Sequence, residues 1–144
     1  MSTVVYEWSS DIETGNAQID AQHKELIKAI NNLLEACSQG KGKAEIGTTV
    51  DFLHDYTVKH FTDEQMLQQR YGYPDYARHK QLHDGFTALV RNLADQMKRD
   101  GPTVALVVQV SSNVGDWLIN HIKKEDKKVA AHIKGTSKKL ADKA

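Results

Sequence analysis

IGTTVDFLHDYTVKHFTDEQML, residues 46 to 67, decides how this chain folds. Ile46, Val50, Leu53, Thr57, His60, Glu64 and Leu67 recur in alternating three- and four-residue steps. That is the stripe an α-helix turns toward a bundle core, whereas a strand would alternate every second residue. The stripe is apolar at its start, then carries a histidine and a carboxylate where a core would want leucines.

The rest of the chain repeats the pattern. A first helix is expected from near Asp20, as N-cap, to Gln39-Gly40, with the seam Ile19, His23, Leu26, Ile30, Leu33, Cys37. The quoted helix spans about Ala44 to Arg70. A third runs from about Pro74 to Arg99, with Tyr76, His79, His83, Phe86, Val90, Leu93 and Met97 on one face. A fourth starts near Pro102 and aligns Val104, Val107, Ser111, Val114, Leu118 and His121. Proline is tolerated at a helix start, where its missing N–H would be unpaired anyway. Short connections make neighbouring helices antiparallel. The expectation is an all-α, up-down-up-down four-helix bundle at about residues 19–132, in one domain covering 1–144. An N-terminal arm (1–18) precedes it, and a short basic tail (about 134–144) follows as a solvated end.

Bulk properties narrow the function. Nineteen basic and nineteen acidic residues give zero formal net charge, which argues against a nucleic-acid partner. A single cysteine, Cys37, excludes an internal disulfide and suits a reducing compartment. The N-terminus lacks the build of a signal peptide, and no apolar run is long enough for a membrane span. These features predict a cytoplasmic protein, with a monomer as the default expectation.

Five seam histidines and one seam glutamate need a common explanation. Each buried polar group left unpaired costs about 1–3 kcal/mol, and a small domain is stable by only about 5–15 kcal/mol. His23 opens an ascending helix, His60 and Glu64 close a descending one, His79 and His83 open the next, and His121 comes late in the last. All converge at one end of the bundle. Neutral imidazoles gathered there read as metal ligands. Six donors exceed the four of tetrahedral zinc, so two ions sharing bridging carboxylates fit better.

Glu64 is one bridge, and HIKKED (121–126) supplies the other. In a regular helix Asp126 would stand about 140° around from His121, facing away. A wide or broken turn just after Ile122 would swing it inward and leave Lys123, Lys124 and Glu125 as an outward bulge. His54 and His132 are not expected to be ligands.

Together, His23, His60-Phe-Thr-Asp-Glu64, His79-Lys-Gln-Leu-His83 and His121-Ile-Lys-Lys-Glu-Asp126 resemble the di-iron signature of the haemerythrin family, over about residues 6 to 130. The resemblance implies two iron ions (Fe2+/Fe3+) joined by an oxo or hydroxo group and bridged by Glu64 and Asp126. It assigns His79, His83 and His121 to one iron, and His23 and His60 to the other, which keeps an open coordination position for dioxygen. It implies reversible oxygen binding rather than catalysis, for storage, transport or delivery to an oxygen-using enzyme. Such a site needs a dry pocket, and Leu26, Phe61, Trp117, Leu118 and Ile122 adjoin the ligands. Oxygen or redox sensing through a separate partner, or a di-iron oxidase or iron store, are the alternatives.

Overall fold

The computed structural model describes residues 6–143, and the side chains among them up to Thr136. Four helices form an antiparallel bundle, and no strand occurs among the described residues. α1 is Ala17–Ser38, α2 is Gly42–Arg70 and α3 is Tyr76–Asp100. α4 starts at Val104 and runs to Lys143, through two π-helical stretches at Gln109–Val114 and Ile122–Asp126. α1 packs on α2 and α2 on α3, while the start of α4 closes against α2 and α3.

The ends of the helices follow local chemistry. Asn16, not Asp20, caps α1: its side chain accepts from the Ile19 N–H at 3.0 Å. Asp20 is spent elsewhere. Its carboxylate accepts from the Thr14 N–H and hydroxyl and from the Gly15 N–H, folding the arm back onto the helix. Gly40, at φ +73°, ends α1 in the left-handed conformation and lets the Lys41 N–H reach the Ala36 carbonyl at 2.7 Å. Pro74 and Pro102 lie just before α3 and α4, not inside them. Thr103 caps α4, accepting from the Leu106 N–H.

The arm is strapped across the bundle. Asn31 clamps the Tyr6 backbone, its oxygen accepting at 2.9 Å and its amide donating at 2.8 Å. The Tyr6 hydroxyl donates to Asp116, and the ring lies so close to Gly115 that a Cβ there would stand 2.7 Å from it. Ile12 is buried in the main core.

That core occupies most of the bundle length, with Ile30, Leu33, Ile46, Phe86, Val110 and Val114 among its closed positions. A second, smaller apolar cluster of Ile19, Tyr73, Val129 and Ile133 closes the other end. It exists because α4 continues past residue 132, where the sequence reading ends the bundle. His132 joins this end, with Nε2 2.7 Å from the Tyr71 carbonyl. The side chains of most of the expected basic tail lie outside the described residues, but its backbone prolongs α4 to Lys143.

Seam positions toward the helix ends are less covered than expected, Cys37, Tyr76 and Met97 being only partly buried. Val104 is 62% exposed, because the buried face at the start of α4 runs through Leu106, Val107 and Val110. In α2 the position after Glu64 on the buried face is Gln68, fully buried, while Leu67 is only partly covered.

Candidate metal centre

Between the two apolar clusters lies a single polar layer. His23 comes from α1, His60 and Glu64 from α2, His79 and His83 from α3, and His121 and Asp126 from α4; all seven are buried. Each pair spaced by four residues shares a helix face because residues four apart differ by only about 40°.

Asp126 reaches the layer by a different device. Ile122–Asp126 is a π-helical turn. With i→i+5 hydrogen bonding the turn is wider than in an α-helix, so Asp126 comes round to the side of His121. The Asp126 Oδ1 stands 3.1 Å from His121 Nε2. Glu125, pushed outward by the same turn, takes an ion pair with Arg78 of α3, which also pairs with Asp75. The wide turn thus hands one carboxylate to the interior and its neighbour to an external clamp.

The oxygens of the two carboxylates divide the histidines. Glu64 Oε1 lies 2.9 Å from His79 Nε2 and 3.5 Å from His83 Nε2. Asp126 Oδ1 lies 3.1 Å from His79 Nε2 and from His121 Nε2. The other oxygens face the other way: Glu64 Oε2 is 3.2 Å from His60 Nε2, and Asp126 Oδ2 is 2.8 Å from His23 Nε2. Two donor groups result: Glu64, His79, His83, His121 and Asp126 on one side, and His23, His60, Glu64 and Asp126 on the other. Both carboxylates belong to both.

The electrostatics are those of two buried carboxylates set among imidazoles. Burial pushes the Glu64 carboxyl up, but the nearby imidazoles of His60, His79 and His83 outweigh it and hold the group at about 2. Burial also pushes Asp126 up, and His121, His23 and His79 bring it well below the usual carboxylate range. For His79 burial pulls down, while Asp126 and Glu64 raise it to about 9. His83 is lowered, with burial dominant.

Protons alone do not satisfy this layer. His23 Nε2, Glu64 Oε2 and both Asp126 oxygens are buried without a hydrogen-bond partner, the close approach of His23 to Asp126 being out of alignment. The ring nitrogens of His79, His83 and His121 converge at 3.1–3.2 Å. Lone pairs aimed at common points, with two anionic bridges, fit cations of mixed nitrogen and oxygen preference such as iron.

The apolar residues named from sequence surround the layer unequally. Leu26, Phe61, Leu118 and Ile122 are buried in the main core. Phe61 stacks on His83 at 3.8 Å, nearly parallel. Trp117 stacks on His121 at 4.5 Å and on Phe86 at 4.2 Å. Trp117 therefore covers the three-histidine side, not the His23–His60 side, and it is partly exposed in a surface cleft shared with Leu82, Asn120 and Lys124. His54 is exposed and pairs with Asp55, away from the layer.

Sequence reasoning missed the outer supports. Gln22 holds His60 Nδ1 at 2.7 Å, Gln65 holds His83 Nδ1 at 3.1 Å, and Gln68 donates to Glu64. Gln68 was findable, since it lies four residues after Glu64 on the same face. Gln22 and Gln65 adjoin layer residues in sequence and offered no periodic signal.

Residues 14–133 match the family model described as "Hemerythrin HHE cation binding domain". The chain belongs to the haemerythrin family. A protein named Bacteriohemerythrin from Methylococcus capsulatus is 41% identical over 109 residues, covering 75% of this chain and 80% of that protein. A Bacteriohemerythrin from Pseudomonas aeruginosa is 35% identical over 127 residues, covering 83% and 75%. A crystal structure titled as wild-type hemerythrin superposes with a TM-score of 0.79 at 31% identity, covering 90% of this chain and 98% of that one. Haemerythrin membership accounts for the bundle and for a cation-binding layer of this composition.

Proposed function

We propose that this chain binds dioxygen reversibly at a centre of two iron ions, as a cytoplasmic monomer that stores oxygen, carries it or delivers it to an oxygen-using enzyme. His79, His83 and His121 would hold one ion, His23 and His60 the other, and Glu64 and Asp126 would be shared by both. The observation that carries this is the division of the carboxylate oxygens, which gives three imidazoles to one side and two to the other. Equal bridging with unequal nitrogen counts leaves one ion a donor short. When bound, the iron pair, joined by an oxo or hydroxo group, supplies the reversible two-electron chemistry that dioxygen capture requires.

The chain's own residues do the rest. The imidazoles serve as neutral donors, and the two carboxylates offset part of the ions' charge in a medium that excludes water. Leu26, Phe61, Leu118 and Ile122 keep the layer dry, which limits the access of water and protons that would make oxidation irreversible. No described helix is long and apolar enough to cross a membrane.

The test is the absorption spectrum of the reduced, iron-loaded protein through repeated cycles of oxygen admission and removal. The reading expects a visible band that comes and goes without loss of intensity. One-way oxidation with release of peroxide would favour a di-iron oxidase and overturn it.

Two substitutions check the placement. His60→Ala is expected to reduce bound iron to about one ion per chain, while His54→Ala leaves iron binding intact; iron quantification after desalting reads the difference. Trp117→Ala is expected to speed conversion to the oxidised, oxygen-refractory form about tenfold, a barrier change of ~1.4 kcal/mol, by opening the surface cleft onto His121. An unchanged rate would remove Trp117 from the shielding of the site.

A further inference from the structure

His60 does not stand alone at the two-histidine side. Its Nδ1 lies 2.7 Å from Gln22 Oε1, and Gln22 Nε2 lies 2.8 Å from Asp63 Oδ2. Gln22 is buried, while Asp63 is half-buried and lines a surface cleft with Gln18 and Arg70. Gln22 directly precedes His23, and Asp63 directly precedes Glu64. Each therefore sits about 100° around its helix from a layer residue, where packed α1 and α2 face each other.

The chemistry of the three groups runs in one direction. An ionised carboxylate only accepts hydrogen bonds. Gln22 must therefore present its NH2 to Asp63, which turns its carbonyl oxygen toward His60. A carbonyl oxygen also only accepts, so His60 must carry its proton on Nδ1. That leaves Nε2 bare, aimed at Glu64 Oε2 3.2 Å away and at the two-histidine donor group. The Gln65 amide beside His83 has no such backing: among the described residues no hydrogen bond carries on from it to a carboxylate.

We propose that Asp63 and Gln22 are positioning residues that fix the tautomer of His60 and strengthen it as a donor to the ion on the two-histidine side. This rests on the di-iron reading above. Through the oriented amide, the Asp63 charge polarises the Nδ1–H bond and makes Nε2 more electron-rich. Outer partners of this kind raise ligand basicity, and their loss commonly costs 10–100-fold in metal affinity. The device acts on one ion of the pair, so the two ions should differ in affinity response even where their bridges are shared.

Cobalt(II) is the probe, because its paramagnetism shifts the N–H resonances of bound imidazoles clear of the protein envelope. In the wild-type chain the exchangeable Nδ1–H resonance of His60 should exchange slowly with solvent. Gln22→Leu should shift that resonance, hasten its exchange and weaken the second cobalt about 10–100-fold, with the first little changed. Gln22→Glu keeps an acceptor at His60 and should restore slow exchange, which a packing defect at residue 22 would not do. Asp63→Asn frees the amide to flip, and should weaken the second cobalt by several-fold without moving the helical circular dichroism. The inference is overturned if Gln22→Leu leaves both the resonance and the second affinity as in wild type, or if Gln22→Glu behaves like Gln22→Leu. A wild-type chain that takes only one cobalt would instead contradict the two-ion reading itself.

Discussion

Removing the metal from the loaded protein lowers its thermal midpoint by roughly 20 °C. The estimate follows from linkage: a ligand held at about a thousand times its dissociation constant stabilises the folded state by about 4 kcal/mol, and the proposed centre takes two ions. For a chain of this size each kcal/mol shifts the midpoint by a few degrees. The structural cause is the layer of buried nitrogens and oxygens that lack partners when no cation is bound. The metal-free protein should remain folded at neutral pH, because a protonated His79 lies between Glu64 and Asp126.

That residual support has a definite pH window. His79 is raised from 6.5 to about 9, so its contribution is full below the unfolded value and disappears as pH climbs through about 9. Glu64 is lowered from 4.5 to about 2, so its contribution holds above the unfolded value and disappears as pH falls through about 2. The metal-free protein should thus lose stability between pH 6.5 and 9. The loaded protein, with neutral His79 bound to a cation, should not. Melting curves across this range, with and without a chelator, check both statements. Superimposable curves for the two forms would show that the layer is satisfied without metal.

The second large effect is expected at Asp126. Its two oxygens face different donor groups, so on the proposed di-iron reading Asp126→Ala removes a donor from both at once. Bound iron should fall below about half an ion per chain, a larger loss than His60→Ala produces. Glu125→Gln is the control one residue away. It breaks the pair with Arg78, which solvent screens, and it should leave iron binding intact. Equal losses at 125 and 126 would mean that the wide turn, rather than the carboxylate it delivers, is what the site requires.

The contrast at 125 and 126 also shows what was legible in the sequence. A histidine and an aspartate five apart cannot share a face in an α-helix, so joining them required a wider turn, and Ile122–Asp126 is π-helical. The four seams were legible for the same reason, since burial imposes a period. Other features had no such constraint. Asn16 and Asp20 are both good caps, and only the path of the arm decides that Asp20 binds Thr14 and Gly15. The first π-helical stretch, Gln109–Val114, carries no histidine or carboxylate to be turned inward, so nothing in the sequence announced it. Gln22 and Asp63 meet only because two helices pack with a particular register, and a one-dimensional pattern does not hold that information.

The most direct measurement of the central claim is an anomalous-diffraction map of crystals of the reduced, iron-loaded protein. The account predicts two iron peaks between Glu64 and Asp126, each carboxylate giving one oxygen to each ion. His79, His83 and His121 should surround one peak and His23 and His60 the other, with the second showing a coordination position that no protein atom fills. A single peak, or two ions each fully enclosed by side chains, would contradict it.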